Sequence, residues 1–471
     1  MTNSSGLGLG FEARLSCGVL NGPRSATHAI CDIQRREKRT RGAVCQVRSE
    51  VGDESPNVAK AVESAEYPRQ FLRAWVYALP MHVITSTRDL ADACRRLAAH
   101  AFVAVDTEFM RESTFWPKLC LIQMAGPEDE LIVDPMAADL DLAPFFELMA
   151  DTNVVKVFHA ARQDIEIIHY KAGIIPTPVF DTQVAAMVCG FGDSVSYVNL
   201  VKKITNRELD KSSRFTDWAR RPLSDNQLVY ALGDVTHLRD VYLSLKADLA
   251  RTGRATWLDE EMAGLTAPKT YEVHPEQAWQ RLKLKVRNRR ALAVLMELAD
   301  WRERLAQSQD VPRSRVLRDE ALYDIANQQP VEVAKLAELR TLSDGFARSS
   351  RARDIIDAVK RGLARDPATV PQLPNGTALP PEANATIDLL RVLLKAAAGR
   401  HGVATRLIAD SEDLERIAAD RQPDVAALRG WRRELFGEDA LKLKRGELGL
   451  AVRRGEVSVI DIVAARESGD S

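Results

Sequence analysis

Asp106 and Glu108 stand two residues apart inside the apolar run Phe102-Val103-Ala104-Val105-Asp106-Thr107-Glu108-Phe109, which reads as a β-strand. Side chains alternate along a strand, so both carboxylates leave the same face. Two acids in such a segment repel each other and resist desolvation unless a cation neutralises them. A hard divalent ion bound through oxygen is the simplest partner, whereas a water-facing pair at a strand end is the plainer alternative. Asp164 falls in the first turn or so of a helix that follows the strand Val154 to Phe158. Ligands gather near such strand ends, although a carboxylate there also suits the helix dipole. Tyr230 and Asp234, at i and i+4, share one helix face. The acid can join the others on a metal while the phenol reaches a bound water; a packing tyrosine beside an exposed acid is the competing reading.

These residues need a scaffold, and the hydrophobic pattern supplies one. Leu119 to Met124 and Glu130 to Asp134 predict two more strands, separated by the turn Gly126-Pro127-Glu128-Asp129. The three form an antiparallel meander. A helix over Leu142 to Met149, the strand Val154 to Phe158, a helix from about Ala160 to Ala172 and a short strand near Val179 follow, then helices from Thr182. The expected block is α/β with a mixed sheet. After about residue 250 no strand is predicted. Leu292, Val294, Leu295, Leu298, Trp301 and Leu305 mark an amphipathic helix. Five prolines in fifteen residues from Pro367 to Pro381 predict an extended linker, and a second helical block begins at Ala383. Trp301-Arg302 and Trp431-Arg432 hint at a duplicated module. Residues 1 to about 80 lack periodicity and read as a disordered tail, with the functional chain starting near Met81.

In this order, Asp106, Glu108, Asp164, Tyr230 and Asp234 resemble the DEDD exonucleases of the tyrosine-containing subclass. Phe180-Asp181-Thr182-Gln183, Ser213 to Trp218 and Arg221-Pro222-Leu223-Ser224 resemble stretches of the ribonuclease D family. Trp301-Arg302 and Val311-Pro312-Arg313 resemble the helicase-and-RNase-D C-terminal (HRDC) module. The likeness covers about 82 to 365 well and 383 to 455 more loosely; His159 stands where asparagine is frequent elsewhere, and ribonuclease D tolerates histidine there.

The resemblance implies an α/β RNase H-like exonuclease domain, a mixed five-stranded sheet with flanking helices, followed by two all-α HRDC-like helical domains. Its boundaries would be an extension over 1–81, the exonuclease over 82–265, HRDC over 286–366, the Pro-rich linker over 367–382 and the second helical domain over 383–463. It implies a 3′→5′ exoribonuclease that releases 5′-nucleoside monophosphates from tRNA precursors and other structured RNAs. Two divalent ions, Mg²⁺ or Mn²⁺, would sit on Asp106, Glu108, Asp164 and Asp234, with Asp106 bridging and Tyr230 orienting the attacking water. The rivals are a DNA 3′→5′ exonuclease with the same acids and a non-catalytic RNA-binding protein.

Charge narrows the partners. The whole chain of 471 residues is nearly neutral at −1, but His82 to Ala250 holds 17 basic and 24 acidic residues, and Arg281 to Arg365 holds 19 and 12. An acidic block beside a basic one suits a metal-using site next to a polyanion-binding module. Lys211, Arg214 and Arg221, interleaved with Phe215 and Trp218, are candidate RNA contacts, as are Arg287, Arg289 and Arg290 in a run of six cations over 281–290. His159 and His237 are weaker candidates, and Asp181 more simply caps a helix. Six scattered cysteines without a CxxC pair and no long apolar run predict a cytoplasmic protein with reduced thiols, outside the membrane and monomeric.

Overall fold

The computed structural model describes residues 82–209, 213–214, 216–283, 285–347, 349–373 and 381–462. The expectations for residues 1–81 and for Lys211 and Phe215 lie outside these residues.

The sheet contains β1 (Val83–Ile84), β2 (Phe102–Met110), β3 (Lys118–Ala125), β4 (Glu130–Val133), β5 (Val155–Phe158) and β6 (Val179–Asp181). Their order is β1-β4-β3-β2-β5-β6, six strands rather than the expected five. The sixth member is the two-residue edge strand β1, within the stretch His82 to Thr85 that the sequence already marks as strand-like, and it pairs in parallel with β4. The predicted meander is present, since β2 to β3 and β3 to β4 are antiparallel, while β5 and β6 run parallel.

Alternation along β2 explains the layers. Val103 and Val105 face a core built with α1 (Thr87–Ala98), α2 (Ala143–Ala150) and α3 (Arg162–Ala172). Phe102 and Ala104 face the opposite core, filled by Leu228, Ala231, Leu232, Val235, Leu238 and Tyr242 of the long helix α6 (Asp225–Thr252). Helices α4 (Thr182–Val188), α5 (Tyr197–Thr205) and α7 (Ala255–Leu265) complete this part. Helix α6 starts with a Ser224–Gln227 capping box and ends at Gly253, φ 68°. Both ends of its 28 residues are therefore fixed, which holds its interior positions in register with the sheet.

Within β5, Lys156 is fully buried, and its Nζ donates to the carbonyls of Asp151, Val154 and Thr177 at 2.5–2.6 Å. Burial pushes its pKa down to about 8. The three bonds tie the entry to β5 to the segment before β6.

The first helical module has its own core, made by Leu292, Leu295 and Leu298 of α8 (Arg289–Ser308), Leu322 and Ile325 of α10 (Asp319–Gln328), and Ile355 and Val359 of α13 (Ser350–Ala364). The one-turn helix α9 (Arg313–Val316) and short helices α11 (Val333–Ala337) and α12 (Asp344–Ala347) lie between. A small patch of Phe115, Ala306 and Val316 joins the module to the α/β part.

The second block opens with α14 (Pro381–His401), the one-turn α15 (Thr405–Ile408) and α16 (Ser411–Ala419). It continues through α17 (Gly430–Arg432), a wide turn Arg433–Gly437 and α18 (Glu438–Lys444). This long, one-turn, medium, final order repeats that of the first module. The Trp-Arg pairs are not its signature: Trp301-Arg302 lies in the first helix of its module and Trp431-Arg432 in the short α17. Two further expectations need correction. The second block is not all-α, because β7 (Leu448–Arg453) and β8 (Glu456–Asp461) form a hairpin through Arg454 and Gly455, φ 54° and 85°. The linker does not begin extended, because Pro367–Thr369 makes a tight turn and Val370 is buried against the first module.

The second block shares one apolar interior with the α/β part. Ile387, Leu390, Leu394 and Phe436 pack in the same cluster as Val188, Leu200, Val241, Leu245 and Met262. Arg254 fastens the joint by donating to Val188, His401 and Gly402 carbonyls.

Two stability predictions follow from this packing. A methyl group on Gly362 would lie 2.5 Å from Val294 Cα and 3.0 Å from the Ala293 carbonyl oxygen. Gly→Ala in a helix gains about 1 kcal/mol, but overpacking costs about 1–3 kcal/mol, and backbone cannot swing aside. Gly362→Ala should lower the thermal midpoint of the first module in calorimetry; an unchanged midpoint would show that α8 and α13 separate freely. Lys156→Met strands three carbonyls and should cost about 3 kcal/mol in urea unfolding, where an unshifted transition would contradict the tie.

Candidate active site around strand β2

Asp106 and Glu108 project from β2 toward α6, as their i, i+2 spacing requires. The pairing with β3 slips between Glu108 and Phe109, so the ladder is irregular directly after the second acid. Asp234 comes from α6, which crosses the same face. One carboxylate oxygen from each of Asp106, Glu108 and Asp234 lies within 4.8 Å of the others. Tyr230, one turn earlier on α6, hydrogen-bonds to Asp234.

Asp164 joins from the other side of the sheet. It is buried at the start of α3, whose apolar residues pack with Val103 and Val105. Thr107, between the two acids of β2, faces this layer and donates its hydroxyl to Asp164 Oδ1 at 2.5 Å. The site is thus three clustered acids plus a fourth held at their flank, and Thr107 is the link. Sequence reasoning missed Thr107, although its odd register between two even-register acids marks it as facing the opposite layer.

Electrostatics follow from burial without compensation. Desolvation pushes Asp106 well above the carboxylate range, and the Asp234 charge adds to the shift. Glu108 is pushed up to about 9 by burial, then by Asp106, Asp234 and Asp164. Asp234 rises to about 7 through burial, opposed by the Tyr230 bond and by Arg214. Asp164 is raised by burial and by Asp106. The Tyr230 phenol is raised by burial and the neighbouring acids. A cluster of like charges with oxygen donors only matches hard divalent cations, and the residues present fit such ions. Asp106, Glu108 and Asp234 could hold one, with Asp164 available beside Asp106.

The surrounding polar residues are positional. Asp181 caps α4 as expected, accepting from Gln183 and Val184 N–H groups. It also accepts from the N–H groups of Ala160 and Ala161 at 3.0 and 2.9 Å, which fixes the left-handed Ala160, φ 61°, at the entry to α3. The turn that aims Asp164 therefore rests on Asp181. His159 Nδ1 lies 3.0 Å from Thr182 Oγ1. That hydroxyl donates to the Phe158 carbonyl, so the network assigns the imidazole proton to Nδ1. Tyr197, also missed in the sequence, donates to the carbonyl of Gly233, beside Asp234. His237 lies against Arg207 at 3.4 Å.

The candidate RNA contacts divide. Arg214 is exposed and close enough to lower the pKa values of Glu108 and Asp234. Arg221 is corrected to a structural role. Its guanidinium grips Asp134 through two bonds of 2.6 and 2.7 Å and donates to the carbonyls of Cys120, Trp218 and Arg220. Arg289 likewise donates to the Val370 carbonyl and ties the linker to its module. Arg287 and Arg290 are exposed. Arg281, from the same basic run, pairs with buried Glu303.

Comparison with known proteins agrees with this geometry. A family model described as 3′-5′ exonuclease matches residues 81–250, and an HRDC domain model matches residues 291–359. Ribonuclease D of Nitrobacter hamburgensis is 56% identical over 380 residues, covering 80% of this chain and 98% of that one. Ribonuclease D of Bartonella henselae is 49% identical over 383 residues, 81% and 94% of the two chains. The crystal structure of Escherichia coli RNase D, described as an exoribonuclease involved in structured RNA processing, matches with a TM-score of 0.68 at 28% identity. That match covers 78% of this chain and 99% of the other. Identity of this size across almost the full length of its relatives makes the chain a member of the ribonuclease D family, the hydrolytic 3′→5′ exoribonucleases.

Proposed function

We propose that the chain trims the 3′ ends of structured RNAs, tRNA precursors among them, using two divalent ions, Mg²⁺ or Mn²⁺, and releasing 5′-nucleoside monophosphates. The convergence of Asp106, Glu108 and Asp234 within 4.8 Å carries this reading. When bound, the ions supply a water of lowered pKa and charge stabilisation at the departing 3′-oxygen. Asp106 would be shared between them, Glu108 and Asp234 would hold the ion on the attacking side, and Asp164 would serve the other. The protein's own contribution is orientation. Tyr230, one turn before Asp234 on α6, would align the attacking water. Arg214 stands where it can meet the substrate phosphate. The substrate class is carried over from the E. coli relative, described as acting in structured RNA processing.

Asp106→Asn should abolish release of mononucleotides while leaving the melting curve and RNA affinity near those of the unmodified protein. Tyr230→Phe should lose at least a hundredfold in kcat with metal titration midpoints unchanged. Wild-type rates in either variant would remove that residue from its role. A precursor tRNA with a 3′ trailer, a matched unstructured RNA and a DNA of the same sequence should be compared in parallel. The trailer should shorten to mononucleotides, EDTA should stop the reaction, and Mg²⁺ or Mn²⁺ should restore it. Equal or faster loss of the DNA would favour the DNA exonuclease instead.

A further inference from the structure

Tyr170, on the last turns of α3, is 43% exposed, and it is the one aromatic ring among the large hydrophobic side chains exposed in the described residues. It lies flat on Trp116, with centroids 4.2 Å apart and planes 8° from parallel. Behind the indole, Phe115 packs edge-on at 4.8 Å, and the Arg313 guanidinium covers the Phe115 ring at 4.5 Å. The backbone is pinned as well, because Asp310 Oδ1 accepts from the N–H groups of both Phe115 and Trp116 at 3.0 Å. One helical turn before Tyr170, Glu166 receives Arg111 through two bonds of 3.0 and 2.5 Å. The outcome is a rigid stack whose outermost ring still faces water.

Core packing does not account for such a stack, since nearly half of the tyrosine stays wet. A pre-ordered π-face beside cations is instead what a nucleobase needs. The setting agrees. Arg313 also lines a cleft of about 590 Å³ in the first helical module, where Arg281, Arg302 and Arg318 alternate with Glu303, Asp319 and Glu320, and buried Glu303 pairs with both Arg281 and Arg313. Helix α3 carries both Asp164 and Tyr170, six residues apart, ~9 Å along its axis.

We propose that the outer face of Tyr170 is a stacking platform for one base of single-stranded RNA, a few nucleotides upstream of the 3′ terminus held at the acids. The proposal rests on the exoribonuclease reading and deepens it. Trp116 is its rigid backing.

The test uses the full chain carrying Asp106→Asn, so that bound RNA stays intact, and single-stranded RNAs with 2-aminopurine at each of the last several positions. Quenching should be strong at one upstream position. Adding Tyr170→Ala should remove it and weaken binding about tenfold, whereas Tyr170→Phe should keep both. Tyr170→Leu, which still covers Trp116 but offers no π-face, should behave like the alanine variant and separates stacking from damage to the seam. Unchanged affinity and quenching in the alanine and leucine variants would overturn the platform, as would a phenylalanine variant as defective as alanine. If the unmodified protein neither bound nor degraded RNA, the exoribonuclease reading would fall instead, whatever Tyr170 did.

Discussion

The mutual repulsion of four carboxylates in a nearly water-free place governs the rest of this protein. Left alone, Asp106, Glu108, Asp164 and Asp234 would move apart or take up protons, and the raised pKa values record that tendency. The fold opposes it by giving none of them freedom. Asp106 and Glu108 are fixed by pairing with Gln123 and Leu121 of β3. Asp234 is fixed by a helix capped at both ends. Asp164 is fixed twice, by the Thr107 hydroxyl and by the turn that Asp181 holds. No cationic side chain of the described residues is buried among them, and Arg214 acts from the exposed edge. Charge is thus concentrated where a divalent ion is the strongest available stabiliser, and carboxylates already in place need little reorganisation when one arrives.

Much of this was legible in the sequence, for definite reasons. The acids sit in regular elements, where a period of two or an i, i+4 spacing dictates the shared face, so Asp106 with Glu108 and Tyr230 with Asp234 could be placed without coordinates. Asp181 could be assigned to a helix cap because capping is local. Thr107 and Tyr197 could not be found in that way, since each acts through a partner distant in the chain, Asp164 and Gly233. Arg221 misled for the same reason: a cation near aromatics suggests RNA, and nothing local reveals that Asp134, 87 residues away, already holds it. The hairpin β7–β8 was readable, because Arg454-Gly455 precedes the alternation Val457-Ser458-Val459, a pattern that suits a two-residue turn. Helical periodicity upstream drew attention away from it.

The two helical blocks share an order of elements yet stand in different relations to the catalytic part. The first keeps a closed core and touches the exonuclease through the small patch at Phe115. The second has merged its core with the catalytic helices, and its Trp431 stacks on Trp257 at 4.5 Å while Arg432 binds Glu260 and Glu261.

That fusion gives the two helical blocks different freedoms. The block with a closed interior is free to vary its outer face and so to change which ligand it greets. The block welded to the catalytic helices has lost that liberty: any change in its apolar residues is felt at α6, and through α6 at Asp234. Shortening the chain from its carboxyl end would therefore not remove an accessory. It would lay bare the back of the helix on which the chemistry is mounted.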